Sequence, residues 1–109
     1  MNWKICYFND ALWDEINSLP DTLLARYLKL TELMIKKGPN LGSPHTKAFG
    51  KGLFELRLKG KEGIARVFYC TMIENEIYML HCFVKKTQKT PKKELDLAKK
   101  RMMEVKYDD

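Results

Sequence analysis

Between Leu53 and Val84 the chain carries three runs, LFELRL (53–58), IARVFYCT (64–71) and EIYMLHCFV (76–84), separated only by KGKEG and MIEN. Together they are rich in aromatic and β-branched residues, and glycine or polar residues bound each one. Connections this short reverse the chain, whereas parallel neighbours need a crossover of a dozen residues or more. An antiparallel meander is therefore the economical topology for this half of the molecule.

The remaining elements are arranged around it. WKICYF (3–8) alternates enough to be a short first strand, and Asn9 or Asp10 is placed to cap a helix through Ala11, Leu12, Trp13 and Ile16. In SLPDTLLARYLKLTELMIKKG, Ser18 with Asp21 resembles a capping box, and Pro20 suits a first turn. Leu23, Tyr27, Leu30 and Met34 then recur at helical spacing beside Leu24 and Leu28, until Lys36, Lys37, Gly38 and Pro39 stop the helix. PNLGSPHTKAFGKG (39–52) is interrupted by Pro39, Gly42, Pro44, Gly50 and Gly52 and reads as one long loop, with His45 a solvated residue in it. Thr90 and Pro91 supply an N-cap and first position for a last helix with a thin stripe of Leu95, Ala98, Met102 and Val105. The order is β, α, α, β, β, β, α, an α+β chain whose residues 1–109 form a single domain.

Composition narrows the function classes. A chain of 109 residues and 12.8 kDa has room for one core and no regulatory module. No apolar run approaches the roughly 18–20 residues of a membrane span, and MNWKICYFND has no signal-peptide pattern, so a cytoplasmic protein is expected. Cys6, Cys70 and Cys82 are odd in number, lack zinc-ligand spacing and sit among apolar neighbours, which reads as reduced core residues rather than a metal or disulfide site. Charge is uneven: residues 1–46 balance five basic against five acidic side chains, whereas residues 47–106 hold fifteen against seven, a net of +8. Such asymmetry points to a polyanionic partner, nucleic acid first and an acidic protein segment second, against the plain alternative of a lysine-rich solvated surface.

Sorting each strand into its two faces locates the polar groups. Phe54, Leu56 and Leu58 oppose Glu55 and Arg57, and Ala65, Val67 and Tyr69 oppose Ile64, Arg66 and Phe68. Strict alternation in the third run sets Tyr78, Leu80, Cys82 and Val84 against Ile77, Met79, His81, Phe83 and Lys85. The uniformly apolar set is the expected floor for the two helices. The other set gathers Glu55, Arg57, Arg66, His81 and Lys85 with Phe68 and Phe83, provided the register aligns the strands. Guanidinium groups match phosphate oxygens, aromatic plates stack bases, and an imidazole moves protons near neutral pH. The plain alternative pairs the charges across strands and buries Phe68, Met79 and Phe83 beneath the last helix, with His81 a structural hydrogen-bonding residue.

With these residues in place, GLFELRLKGKEGIARVFY followed by IYMLHCFVKKTQKTPKKELDLAKKR resembles the RelE/ParE superfamily of type II toxin–antitoxin toxins, nearest its phage-derived HigB-like branch, over residues 3 to about 105. The resemblance implies a RelE-like fold, with an N-terminal strand and two helices packed on a curved antiparallel sheet and a C-terminal helix. It implies an endoribonuclease that cleaves mRNA, often in the ribosomal decoding site, without metal or other cofactor, by attack of the ribose 2′-hydroxyl on the adjacent phosphate. Arg66 matches the arginine that relatives place beside the scissile phosphate, Arg57 a basic position on the preceding strand, and Lys86, or Lys85 after a one-residue slip, a further cation. RelE-like toxins carry a tyrosine in the last helix; here Tyr107 is expected beyond it, so the proton carrier falls to His81. Lys47, Lys51, Lys59, Phe83, Lys85 and Lys89 complete the expected RNA contacts.

The implied partners are a cognate helix-turn-helix antitoxin of HigA type, mRNA and the ribosome, with operator DNA met only through the antitoxin and no membrane. A ParE-like inhibitor of DNA gyrase and a non-catalytic member of an autoregulatory repressor complex are the rival readings. If the lysines bind phosphate, RNA affinity falls steeply with added salt, by a log–log slope of roughly −0.7 per neutralised phosphate on a single strand. Filter binding of an RNA oligonucleotide at rising salt measures that slope, and a flat response contradicts the polyanion reading.

Overall fold

The computed structural model describes residues 2–85 and 89–107. The chain order is β1 (Lys4–Tyr7), α1 (Asp10–Asn17), α2 (Asp21–Lys37), β2 (Thr46–Gly50), β3 (Leu53–Gly60), β4 (Gly63–Met72), β5 (Glu76–Lys85) and α3 (Lys92–Tyr107). One five-stranded sheet runs β1-β5-β4-β3-β2. The expected meander is present in β3, β4 and β5, but the sheet is mixed rather than wholly antiparallel, because β1 lies parallel to β5. Parallel pairing is possible there because two helices separate β1 from the other strands, enough chain to cross over.

The segment predicted as a loop contains a further strand. Thr46–Gly50 pairs antiparallel with β3, Lys47 opposite Glu55, with a register shift between Ala48 and Gly50. Five residues flanked by glycines carry too little periodicity to announce a strand; β3 imposes it by offering an unpaired edge.

Helix ends follow local chemistry, with corrections. The Asn9 side chain accepts from the Leu12 amide at 2.8 Å, capping α1. Ser18 belongs to the end of α1, where its hydroxyl donates to the Asp14 carbonyl at 2.7 Å, so the expected capping box does not form and Pro20 precedes α2 without a side-chain cap. Thr90 likewise caps nothing, since its hydroxyl donates to Glu55 Oε2 at 2.7 Å. Tyr107, expected past the last helix, is its final residue and largely exposed.

Two hydrophobic layers sandwich the sheet. On one side Leu12, Ile16, Leu23, Tyr27, Leu30 and Met34 pack on Leu56, Leu58, Ala65, Val67, Tyr69, Ile77, Met79 and Cys82. On the other, Ala98 and Met102 of α3 cover Leu53, Phe68, Cys70 and Leu80. Membership on β5 departs from strict alternation. Phe68 pairs with His81 but Tyr69 pairs with Met79, leaving Leu80 as the extra residue of a bulge. Ile77 and Met79 therefore face α1 and α2, and Leu80 faces α3, the reverse of the expected sorting, while Cys82 and His81 keep their expected faces.

The cysteines are unpaired; Cys70 and Cys82 are buried and Cys6 half-buried. Burial pushes the Cys70 thiol up to about 11 and the Cys82 thiol up to about 12, which keeps both protonated and unreactive near neutrality. No described helix is long and apolar enough to cross a membrane.

Gly60 closes the packing of β3 against α2. A Cβ there would collide with Thr22, whose Oγ1 accepts from the Lys61 amide at 2.8 Å and donates to Glu62. Gly60→Ala is expected to destabilise the protein by about 1–3 kcal/mol, the usual range for overpacking, read as a lower urea midpoint with unchanged slope.

Candidate functional site

The α3-facing surface of the sheet is apolar at one end and charged at the other. Register alone builds the charged end in three transverse rows. Lys47, Glu55, Phe68 and His81 lie opposite one another across β2 to β5; Arg57, Arg66 and Phe83 form the next row; Lys59, Ile64 and Lys85 the third. Directly opposed residues share a face, with Cβ atoms about 4.5–5.5 Å apart. The expected gathering of Glu55, Arg57, Arg66, His81 and Lys85 with the two phenylalanines is therefore present.

Glu55 is fully buried in the midst of cations. Its Oε1 lies 3.4 Å from Arg57 Nε and 3.6 Å from Arg66 Nε. The Arg66 Nη1 donates to the Ala65 carbonyl at 3.2 Å. Burial lowers the Arg66 pKa first, the Glu55 charge opposes that, and Arg57 adds to the lowering. Lys85 is also lowered, chiefly by desolvation and then by the Arg66 charge.

Arg57, Lys59 and Arg66 line a cleft of about 390 Å³ together with Arg26, Pro44, His45 and Ile64. Four cations and no carboxylate form its wall, and its volume lies in the range of about 300–1,000 Å³ usual for small-ligand sites. Arg26 comes from α2 and was not singled out in the sequence, where an exposed arginine on a helix looks like any solvated charge. His45 is no isolated loop residue: its carbonyl accepts the Arg57 amide at 2.8 Å, extending the β3 edge past β2.

The other expected residues are placed as follows. His81 is 9% exposed, its Nε2 is 3.0 Å from Glu94 Oε1 and its Nδ1 is buried without a partner. Its ring stacks against Phe83 at 5.8 Å between centroids, and Phe83 stacks on Phe68 at 6.0 Å. Phe68 is core, and Phe83 is half-buried against it. Lys47 extends over the Phe49 ring at 5.1 Å. Lys51 is drawn elsewhere, to an apolar groove with Phe49, Leu53, Lys99, Met102 and Met103, where its carbonyl accepts Lys106 Nζ at 3.3 Å. Lys89 is exposed just before α3, and Lys86 lies outside the described residues. Among the described residues no cluster of His, Cys, Asp or Glu could hold a metal ion.

A two-layered mixed sheet of this topology defines the RelE fold. The chain superposes on a double arginine-to-alanine variant of the Escherichia coli toxin RelE in the free state with a TM-score of 0.68, at 12% identity, covering 94% of this chain and 99% of the other. It also matches RelE in the archaeal RelE–RelB complex from Pyrococcus horikoshii OT3, with a TM-score of 0.53, 16% identity and coverage of 79% and 98%. No curated protein matches in sequence. Residues 14–103 match the family described as Phage derived protein Gp49-like (DUF891), and the chain belongs to that family, with a RelE-like fold.

A lysine with a lowered pKa is a better nucleophile at mild pH. Limiting acetylation at pH 8 is expected to modify Lys85 before Lys36, which is exposed on α2 beside Glu32. Peptide mass mapping reads the order, and equal labelling contradicts the described surroundings of Lys85.

Proposed function

We propose that this protein is the toxin of a type II toxin–antitoxin pair and that it cleaves mRNA in the cytoplasm, acting on the translating ribosome. The observation carrying this reading is the carboxylate-free cleft in which Arg57 and Arg66 stand directly opposite each other beside Lys59 and Arg26. A single phosphate bound between two opposed guanidinium groups meets several N–H donors, and the charge on them matches the charge that grows on the non-bridging oxygens as a pentavalent phosphorane forms.

The reaction class is in-line attack by the ribose 2′-hydroxyl on the adjacent phosphorus, with bond breaking to the 5′-oxygen. Arg66 is the principal charge-stabilising residue and Arg57 its partner; Lys85, with Lys86 following it, supplies the cation at the end of β5. Two proton transfers are required, one from the nucleophile and one to the leaving oxygen. His81 is assigned the acid/base role; its Nε2 is bonded to Glu94 and it does not line the arginine cleft, so that bond has to open for the ring to exchange a proton with RNA. Lys85 is the second group able to give up a proton, because desolvation and the neighbouring arginines lower its pKa. Lys47, Lys59 and Lys89 guide the RNA backbone, and Phe83 borders the same face. Lys51, drawn to the apolar groove, contributes only long-range attraction.

The partner is a helix-turn-helix antitoxin of HigA type, through which the pair reaches operator DNA. That a RelE relative forms a complex with RelB supports an antitoxin here.

Primer extension on a reporter mRNA in a translating extract tests the reading. The unmodified protein is expected to produce discrete new 5′ ends. Arg66→Ala should lower the cleavage rate by about 10²–10³-fold, the range for losing one transition-state donor. Arg57→Ala should cost less, about tenfold by the same scale, because its side chain is 35% exposed against 11% for Arg66. His81→Gln at the unmodified rate transfers the proton role to Lys85. Absence of cuts by folded protein, with loss of DNA supercoiling on expression, would instead establish the gyrase reading.

A further inference from the structure

We infer that Glu55 is a positioning residue of the cationic face, a single carboxylate that orients both arginines and ties the approach to α3 against them. The inference rests on the nuclease reading for its activity readout and on geometry for the rest. Glu55 is the one fully buried acidic side chain among the described residues. Its surroundings do not require a charge for packing: Phe68, directly opposite on β4, fills the same layer with an apolar ring. A buried charge at such a place costs more than an apolar residue of similar size, and it is tolerated when its partners need it.

Those partners are specific. Arg57 and Arg66 face each other across β3 and β4, where like charges repel. Glu55 Oε1 sits between their Nε atoms, accepting a hydrogen bond from Arg57 Nε at 3.4 Å and forming an ion pair with Arg66 Nε at 3.6 Å, a buried nitrogen that has no hydrogen-bond partner. Arg66 is held at a second point by the Ala65 carbonyl, so its plane is set from both sides. The Nη groups of Arg57 and the Nη2 of Arg66 are then left for an anion in the cleft. Glu55 Oε2 is occupied by the Thr90 hydroxyl at 2.7 Å, which links the end of the KKTQKT segment to the same carboxylate. With both oxygens committed inward, Glu55 does not itself face the reacting atoms. Its contribution passes through the two guanidinium groups.

Charge and orientation act in opposite directions on two measurable quantities. Glu55→Gln keeps the size of the side chain and a partner for Thr90 but removes the negative charge. Affinity for a non-cleavable 2′-O-methyl RNA oligonucleotide should be unchanged or a few-fold tighter, because the face becomes more positive. The kcat for cleavage should fall at least tenfold with KM unchanged or lower, because the arginines lose their orientation. A folded Glu55→Gln protein with kcat within twofold of the unmodified value overturns the inference.

An activity-independent readout is the Nε–H signals of Arg57 and Arg66 in ¹⁵N–¹H spectra, assigned by their loss in Arg57→Lys and Arg66→Lys. In the unmodified protein the Arg57 signal is expected to be shifted by its hydrogen bond and the Arg66 signal by its burial beside the same carboxylate, and both shifts are expected to collapse in Glu55→Gln. Unchanged signals overturn the positioning role whatever the activity. If the unmodified protein makes no cuts, the proposed function fails and the Nε–H spectra alone decide this inference. Should Glu55→Gln not fold, Glu55→Asp, which keeps the charge but shortens its reach, is expected to disturb the same signals and lower kcat.

Discussion

The extra residue in β5 is the constraint on which both faces of the sheet depend. β5 has to cover the α1–α2 layer with Ile77 and Met79 and also deliver His81, Phe83 and Lys85 to the opposite side, which strict alternation forbids. Leu80 resolves the conflict by occupying a bulge in which two β5 residues oppose one on β4. The bulge is fastened from outside: Arg101 of α3 donates to the Leu80 carbonyl at 2.8 Å, and its guanidinium lies 4.7 Å from the Phe8 ring. One arginine thereby joins the helix, the irregular strand and the segment after β1.

From that arrangement the division of the α3 face follows. Leu95, Ala98, Met102 and Val105 give α3 enough apolar surface to cover Leu53, Phe68, Cys70 and Leu80, with Phe49, Met72, Tyr78 and Phe83 packed partly buried around them. Beyond this stripe the same strands carry Arg57, Lys59, Arg66 and Lys85, whose charges would be expensive to bury beneath another helix. The open end of the face and the cationic cleft are therefore one consequence of where the apolar stripe stops. The edge of the sheet beside it is β2, short, bulged and carrying Lys47, features that also discourage pairing with another chain. That a RelE relative with 12% identity shares the fold is consistent with this division resting on pattern more than on particular residues.

Much of this was legible before the fold was known. The meander, the buried stripe Leu23, Tyr27, Leu30 and Met34, and the gathering of Arg57, Arg66, His81 and Lys85 follow from periods of two and 3.6 residues, which local sterics enforce. The strand Thr46–Gly50 was not legible, because β3 rather than its own composition makes it extended. Ser18 and Thr90 misled for a related reason. A hydroxyl bonds the best acceptor in reach, and the Asp14 carbonyl and the Glu55 carboxylate outcompeted the expected caps.

The sequence by itself determined the class and order of every element except β2, the helical stripes and the concentration of positive charge after residue 46, since all of these depend on neighbours a few positions apart. Only the tertiary structure decided that β1 runs parallel to β5, that Leu80 is the residue left out of register, and that Arg26 and His45 join the arginine cleft. It also decided that His81 meets Glu94 and that Glu55 lies between two arginines and a threonine 35 residues away. These pairings bring together groups far apart in the chain, and their energies depend on burial and mutual distance, quantities that exist only once both hydrophobic layers have closed on the sheet.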